Sequence, residues 1–168
     1  MMKEKIKIVA KDICSMEVDA IICQANTELE MEDRATWRMI ERGGDVIHNE
    51  CNGQESLTTG MSVCTPAGKL LASYLIHAVI NKRGEKARED QTMTAIRSAL
   101  NMAKEKQFQT LAIPLIGPSA GIPVKRAAEL ILTEIKKHFD SDTTVESIIL
   151  AAHSRASFEA FDEGLKQL

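Results

Sequence analysis

The chain has 168 residues and a mass of 18.5 kDa, which fits one domain over residues 1–168 and excludes two independent hydrophobic cores. Hydrophobic residues make up 44% and charged residues 27% of the chain, a composition that excludes a disordered or fibrous protein. The net charge of −3, the single Trp and the single Tyr are untypical of proteins that grip nucleic acid, so we expect no nucleic-acid partner.

Strands and helices alternate along the chain, as judged from the spacing of apolar residues. Apolar or β-branched runs of strand length predict strands, and apolar residues three and four apart predict helices. In chain order the predicted elements are strands at 5–10 and 18–25, a helix at 33–42 that resumes at 45–51, strands at 61–66 and 74–80, a helix at 87–106, a strand at 111–116, a helix at 124–139, a strand at 146–152, and a last helix capped by Ser154. Gly43 and Gly44 predict the break in the first helix, where Trp37 is expected to be partly buried.

This order of elements predicts an α/β fold in which a mixed or parallel central sheet lies between two layers of helices. The strands at 61–66 and 74–80 are expected to be neighbours, because only a short turn-like segment separates them. Ligands of such sheets bind outside the carboxyl ends of the strands. The segments 26–33 and 117–123 each begin where a buried strand ends, so we expect the functional site there.

A glycine-containing loop precedes the predicted helix at 124–139. Its backbone N–H groups are placed to converge on a phosphate, although a simple strand-to-helix turn is an equally good interpretation. The sequence matches neither the Walker motif nor the dinucleotide-binding fingerprint. The candidate phosphate-binding residues of this loop are Gly117, Pro118, Ser119, Ala120, Gly121 and Ile122.

Two single residues each have two open interpretations. Asn26 ends an apolar strand, where its amide can contact a ligand hydroxyl, but Asn more commonly starts a turn. Asp12 follows the first strand and can accept from an exocyclic amine, but Asp more commonly caps the next turn. His77 lies mid-strand and is interpreted as a buried structural imidazole. The mixed-sign charge run at 82–90 is interpreted as a solvated loop without a functional role.

The cysteines and the N-terminus indicate a reduced, metal-free protein. The four cysteines are scattered without a CxxC motif, and His48 and Cys51 form only one weak candidate ligand pair, so we predict neither a metal nor a cofactor. The first residues, MMKEK, contain no signal-peptide core, and the apolar runs are too short to span a bilayer. We therefore expect a cytoplasmic monomer that makes no membrane contact.

An ordered set of segments over nearly the whole chain resembles the macrodomain family of ADP-ribose-binding modules. Residues 18–26 read VDAIICQAN and resemble the family strand VDAIVNAAN, and 11–13 read KDI and resemble its GDI. Segments resembling the family's EC, TG, IT and IHTV motifs follow in the same order, at 50–51, 59–60, 64–65 and 76–79. The resemblance implies a three-layer α/β/α macrodomain with a mixed central sheet.

The resemblance also implies roles for the candidate residues. In this family an acidic residue after the first strand receives the adenine amine, which gives that role to Asp12 with Ile13 beside it. The strand-ending Asn contacts the distal ribose, which gives that role to Asn26, and the loop at 117–122 holds the diphosphate. The implied ligand is ADP-ribose or a related nucleotide, free or attached to a protein.

The first ligand loop departs from the family pattern. Where relatives have a glycine-rich stretch, this chain has none, and Glu28, Glu30, Glu32 and Asp33 are expected to repel a diphosphate unless they point away. Thr36 stands where the hydrolases of the family have a catalytic Asp. Because that Asp is missing, we prefer binding to catalysis. A hydrolase that acts on ADP-ribosylated protein or O-acetyl-ADP-ribose is the alternative function, with Asn26 and Asp33 as candidate catalytic residues. A scaffold that binds another ligand or a protein partner is the second alternative.

Overall fold

The structure is a computed structural model that describes residues 2–30, 33–54 and 57–168. Six strands form one sheet, in the order β1-β6-β5-β2-β4-β3. Neighbouring strands are parallel except for β3, which is antiparallel to β4, so the sheet is mixed as predicted. The strands are β1 (Ile6–Val9), β2 (Ala20–Asn26), β3 (Ser62–Pro66), β4 (Tyr74–Asn81), β5 (Thr110–Pro114) and β6 (Ser147–Ala151).

Helices cover both faces of the sheet. The helices are α1 (Arg34–Gly43), α2 (Asp45–Asn52), α3 (Glu89–Glu105), α4 (Val124–Phe139) and α5 (Arg155–Lys166). Met39 of α1 and Ile47 of α2 belong to the apolar cluster on one face. Ile96 of α3, Ile131 of α4 and Phe161 of α5 belong to the larger cluster on the other face. The predicted three-layer α/β/α architecture is confirmed.

The predicted break between α1 and α2 is present, and Trp37, expected to be partly buried, is more exposed than the core positions of α1. Gly44 has φ 91°, a conformation that side chains rarely adopt, and an added Cβ at Gly43 would lie 2.9 Å from the carbonyl oxygen of Ala67. The buried positions of α1 are Thr36, Met39, Ile40 and Gly43. Each residue along a helix is rotated by about 100° from the one before it, so Trp37 is turned away from the buried Thr36. The exposed fraction of Trp37 is 45%.

The sheet opens between β2 and β5. These strands are paired only at Ala20 with Leu111 and at Ile21 with Ala112, near their amino ends. The strand order reverses at this point, and such a switch point leaves a crevice outside the carboxyl ends of the strands. No helix in the described part of the chain combines the length and the apolar character needed to cross a bilayer.

Candidate functional site

A cleft of about 520 Å³ lies at the carboxyl ends of β1, β5 and β6, beside the start of α1. Apolar contact surface is provided by Ile13, Pro114 and Leu115, among others. The polar and charged side chains at its border are Lys11, Asp12, Asp33, Arg34, Arg38 and His153. The cleft therefore combines an apolar wall with cationic groups and two carboxylates.

Asp12 is at the centre of a small charged network on the border of the cleft. One carboxylate oxygen, Oδ1, accepts the backbone N–H of Cys14 at 2.9 Å and caps the 3-10 helix Ile13–Ser15. The other, Oδ2, accepts from Arg38 Nη2 at 2.5 Å and from Arg42 Nη1 at 3.0 Å. Burial raises the pKa of Asp12, but the Cys14 N–H and the two guanidinium groups outweigh burial and hold this pKa below its usual value. Asp12 is thus an ionised acceptor that also serves as a cap.

Asn26 is bound into its own loop. Its Oδ1 accepts the backbone N–H groups of Glu28 at 3.0 Å and Glu30 at 3.1 Å, and its Nδ2 donates to the carbonyl oxygen of Glu30 at 2.9 Å. The side chain is 1% exposed, and the space that it borders together with Gln24 and Asp33 has no room for a water molecule. The turn-forming role accounts for these three hydrogen bonds of the amide, and a contact with a distal ribose stays a prediction.

Glu28 and Glu30 of the first loop do not line the cleft, whereas Asp33 does. Arg83, in the loop after β4, lies 2.7 Å from Glu30 and 3.7 Å from Glu28. Leu29 between them has φ 53°, a conformation that glycine would adopt at less cost. Glu32 lies outside the described residues. The expected repulsion from Glu28 and Glu30 is therefore reduced by an ion pair with Arg83.

Asp33 caps the first turn of α1. Its Oδ2 accepts the backbone N–H of Thr36 at 3.0 Å and lies 3.1 Å from the Thr36 hydroxyl. That hydroxyl also lies 2.9 Å from the carbonyl oxygen of Gln24. The Ser119 hydroxyl approaches Asp33 Oδ1 at 3.4 Å. As a cap, Asp33 is held rigidly at the border of the cleft, and its role as a catalytic base stays a prediction.

The loop at 117–122 is folded as a tight turn around the 3-10 helix Pro118–Ala120. Gly117 and Gly121 have φ 120° and 97°, which explains the glycines at these positions. The N–H of Gly117 donates to Gln24 Oε1 at 2.9 Å, and the N–H groups of Ala120, Gly121 and Ile122 donate to carbonyl oxygens within the loop. Three N–H groups of the loop thus donate within it and a fourth donates to Gln24, and the role of the loop in phosphate binding stays a prediction.

The sequence analysis missed several residues that organise the site. Arg38 was missed because only the folded chain brings it to Asp12. Gln24 could have been singled out from the sequence, because it is a polar residue within an otherwise apolar strand. The segment at 82–90, interpreted as a solvated loop, braces both ligand loops, because Arg83 contacts Glu30 and the N–H of Ala87 donates to the carbonyl oxygen of Ala120 at 2.9 Å.

His77 lies within the sheet, away from the cleft lining. It is 1% exposed, its Nε2 lies 2.9 Å from Thr65 Oγ1, and its Nδ1 lies 3.5 Å from Cys23 Sγ. Burial lowers the pKa of His77 to about 4, so the ring is neutral at pH 7. His48 and Cys51 lie on α2, and among the described residues no three His, Cys, Asp or Glu side chains are grouped so as to hold a metal.

Comparison with known proteins gives relatives that match nearly the full chain. A macro domain-containing protein of Caldanaerobacter subterraneus is 32% identical, over 99% of this chain and 99% of its own length. A macro domain-containing protein of Listeria monocytogenes is 32% identical, over 95% of this chain and 91% of its own.

Solved macrodomains share the fold at lower identity. The Trypanosoma brucei macrodomain in complex with ADP superposes with a TM-score of 0.88 at 19% identity, over 96% of this chain and 69% of its own. The Oceanobacillus iheyensis macrodomain with ADP gives a TM-score of 0.84 at 23% identity, over 95% and 89%. The family model described as Macro domain matches residues 23–131. This match and the curated relatives show that the chain belongs to the macro domain family.

Proposed function

We propose that this protein binds ADP-ribose or a related nucleotide in the cleft beside Asp12. The observation that carries the proposal is the cleft itself, which has the size of a nucleotide pocket and joins an ionised acceptor to an apolar wall and several cations. Related folds support the same ligand class, since the Trypanosoma brucei macrodomain was solved with ADP-ribose and a mutant of the Oceanobacillus iheyensis macrodomain with ADPR.

The adenosine part of the ligand is assigned to the end of the cleft near Asp12. A charged carboxylate accepts a stronger hydrogen bond from an exocyclic amine than a neutral oxygen does. Ile13 and Leu115 supply apolar surface for the base. Arg34 and Arg38 follow one another at a spacing of four residues on α1 and bring two guanidinium groups to the border of the cleft, where phosphate oxygens are their natural partners.

Binding is favoured over hydrolysis because the candidate catalytic groups already serve the fold. Asn26 holds the loop that follows β2, and Asp33 caps α1. A general base needs a carboxylate within hydrogen-bond reach of the attacking water. The hydrolase stays the alternative function, and ADP-ribose attached to a protein is a partner that either function accommodates. A scaffold for a different ligand is the remaining alternative.

The proposal is tested by adding ADP-ribose to the isotopically labelled protein and following its amide resonances. Binding in the cleft should shift resonances in the segments 10–13, 34–38, 114–115 and 151–153. Adenosine alone should shift the first and third of these segments. Absence of saturable shifts with ADP-ribose at millimolar concentration would reject the proposed function.

A further inference from the structure

Gln24 places a buried carboxamide where the sheet opens. It lies on β2, and its exposed fraction is 4%. A buried amide is costly unless it is hydrogen-bonded, and both ends of this one are. Its Oε1 accepts the N–H of Gly117 at 2.9 Å, and its Nε2 donates to Ser119 Oγ at 2.8 Å. Both partners belong to the loop at 117–122.

The carboxamide fills the crevice between β2 and β5. The ladder between these strands includes Ala20 and Ile21 but not Gln24. The backbone carbonyl of Gln24 accepts from the Thr36 hydroxyl at 2.9 Å, so α1 supplies a partner at the point where the two strands diverge. Crevices of this kind are where open α/β sheets bind their ligands. The Gln24 side chain therefore lies in the position that a ligand would be expected to take.

An anion approaching the loop would compete with Gln24 for the same donor. Glycine-containing turns before a helix bind phosphates through backbone N–H groups. Here the N–H of Gly117 already donates to a neutral oxygen, while the N–H groups of Ala120 and Ile122 donate to Gly117 O. Displacement of the carboxamide would leave a buried polar group without its partner, and this cost offsets what the new hydrogen bond gains.

We propose that Gln24 is a specificity-determining residue that takes the place of an anion at Gly117. It therefore weakens diphosphate binding and leaves recognition to the adenosine part of the ligand. The inference rests on the proposed function, because it concerns the diphosphate of the ligand proposed there. The Ser119 hydroxyl extends the effect, since it lies 3.4 Å from Asp33 Oδ1 and brings a carboxylate to the same side of the loop. A negative charge beside the loop adds to the barrier against an anion.

The test compares wild-type protein with Gln24→Ala and Gln24→Glu, with inorganic pyrophosphate as the probe and the Gly117 amide resonance as the readout. Gln24→Ala removes the competing oxygen and should bind pyrophosphate at least about tenfold more tightly than wild type. Gln24→Glu keeps the length of the side chain and an acceptor for Gly117, and its charge should prevent binding. Adenosine affinity should be the same in wild type and Gln24→Ala.

Equal or weaker pyrophosphate binding by Gln24→Ala would overturn the inference. If Gln24→Ala fails to fold, amide hydrogen exchange and pyrophosphate titration of the wild-type protein decide. The Gly117 amide should be protected from exchange, and its resonance should not respond to pyrophosphate. Fast exchange of this amide, or a saturable shift of its resonance, would overturn the inference. Failure of the proposed function would give a different result, because the wild-type protein would then bind neither ADP-ribose nor adenosine. The pyrophosphate comparison stays valid in that case.

Discussion

Arg38 Nη2 lies 2.5 Å from Asp12 Oδ2, so the carboxylate that we assign to the adenine amine already holds a guanidinium group. The other carboxylate oxygen of Asp12, Oδ1, accepts the N–H of Cys14 at 2.9 Å. The network fixes the orientation of the carboxylate before any ligand arrives, and it keeps the carboxylate ionised. A ligand amine therefore meets a charged acceptor in a fixed position, although it must share that acceptor with Arg38.

Asp12→Ala should lower both ligand affinity and stability. Loss of the charged acceptor should weaken adenosine binding by about 10- to 100-fold, and loss of the cap should reduce the free energy of unfolding by about 1 kcal/mol. Calorimetric titration and thermal unfolding measure the two effects. Asp12→Asn is the matched control, because an Asn side chain still caps the turn at Cys14. Unchanged adenosine affinity in Asp12→Ala would leave Asp12 with the capping role alone.

Asn26→Ala should destabilise the protein, because three partly buried hydrogen bonds that hold the turn to Glu30 are lost. The expected loss in the free energy of unfolding is about 1–3 kcal/mol, measured by denaturant titration. Asn26→Asp retains the acceptor for the two N–H groups and should lose less. If Asn26 also contacts the distal ribose, ADP-ribose will lose more affinity than ADP. Wild-type stability of Asn26→Ala would contradict the structural role.

Hydrolysis of ADP-ribosylated protein and of O-acetyl-ADP-ribose should be slow. Asp33 is engaged as a helix cap, and Thr36 supplies a hydroxyl that a neighbouring carbonyl already accepts. A lost general base costs about 10² to 10⁴ in rate, so turnover should be at least about a hundredfold below that of a glycine-loop hydrolase assayed alongside. A comparable rate that Asp33→Ala abolishes would instead make this protein an enzyme with Asp33 as its base.

Stability should fall on acidification because of His77. Burial lowers the pKa of this imidazole to about 4 in the folded protein, against 6.5 for an unperturbed His. Between these values the unfolded chain binds a proton that the folded chain does not, so the contribution is full above pH 6.5 and is lost as the pH falls towards 4. The loss from this residue is about 3 kcal/mol.

The control for this prediction is His77→Gln, which does not titrate and keeps a polar side chain that can hydrogen-bond to the Thr65 hydroxyl. Denaturant titrations at pH 4, 5, 6 and 7 should give a shallower pH dependence for the variant than for wild type. His138, whose pKa burial and Lys104 also lower, contributes equally to both proteins and cancels in the difference. Identical pH dependence in the two proteins would show that His77 is not the titrating group.

Features that depend on residues close together in the sequence could be predicted. Apolar spacing located the strands and helices, and Gly43 with Gly44 predicted the break between α1 and α2. The commoner interpretations of Asp12 as a cap and of Asn26 as a turn former both describe contacts that the structure contains. For the cleft itself, the resemblance to macrodomains pointed to Asp12 and Ile13, which border it.

Contacts across the sheet could not be predicted in the same way. Gln24 meets Gly117, 93 residues away, only because β5 and β2 are neighbours in a strand order that periodicity does not encode. Arg38 meets Asp12 because α1 packs against the 3-10 helix Ile13–Ser15, which Asp12 caps. Arg83 was assigned to a solvated loop because its partners, Glu28 and Glu30, are more than 50 positions earlier. These three contacts define the charge and the access of the site.

Isothermal titration of the wild-type protein with ADP-ribose, with adenosine as a competitor, tests the central claim most directly. If the cleft beside Asp12 is a nucleotide site, the titration will show saturable binding to one site, and adenosine will reduce the apparent affinity for ADP-ribose. Absence of binding heat at two temperatures, together with no competition, would contradict the assignment of the cleft to a nucleotide.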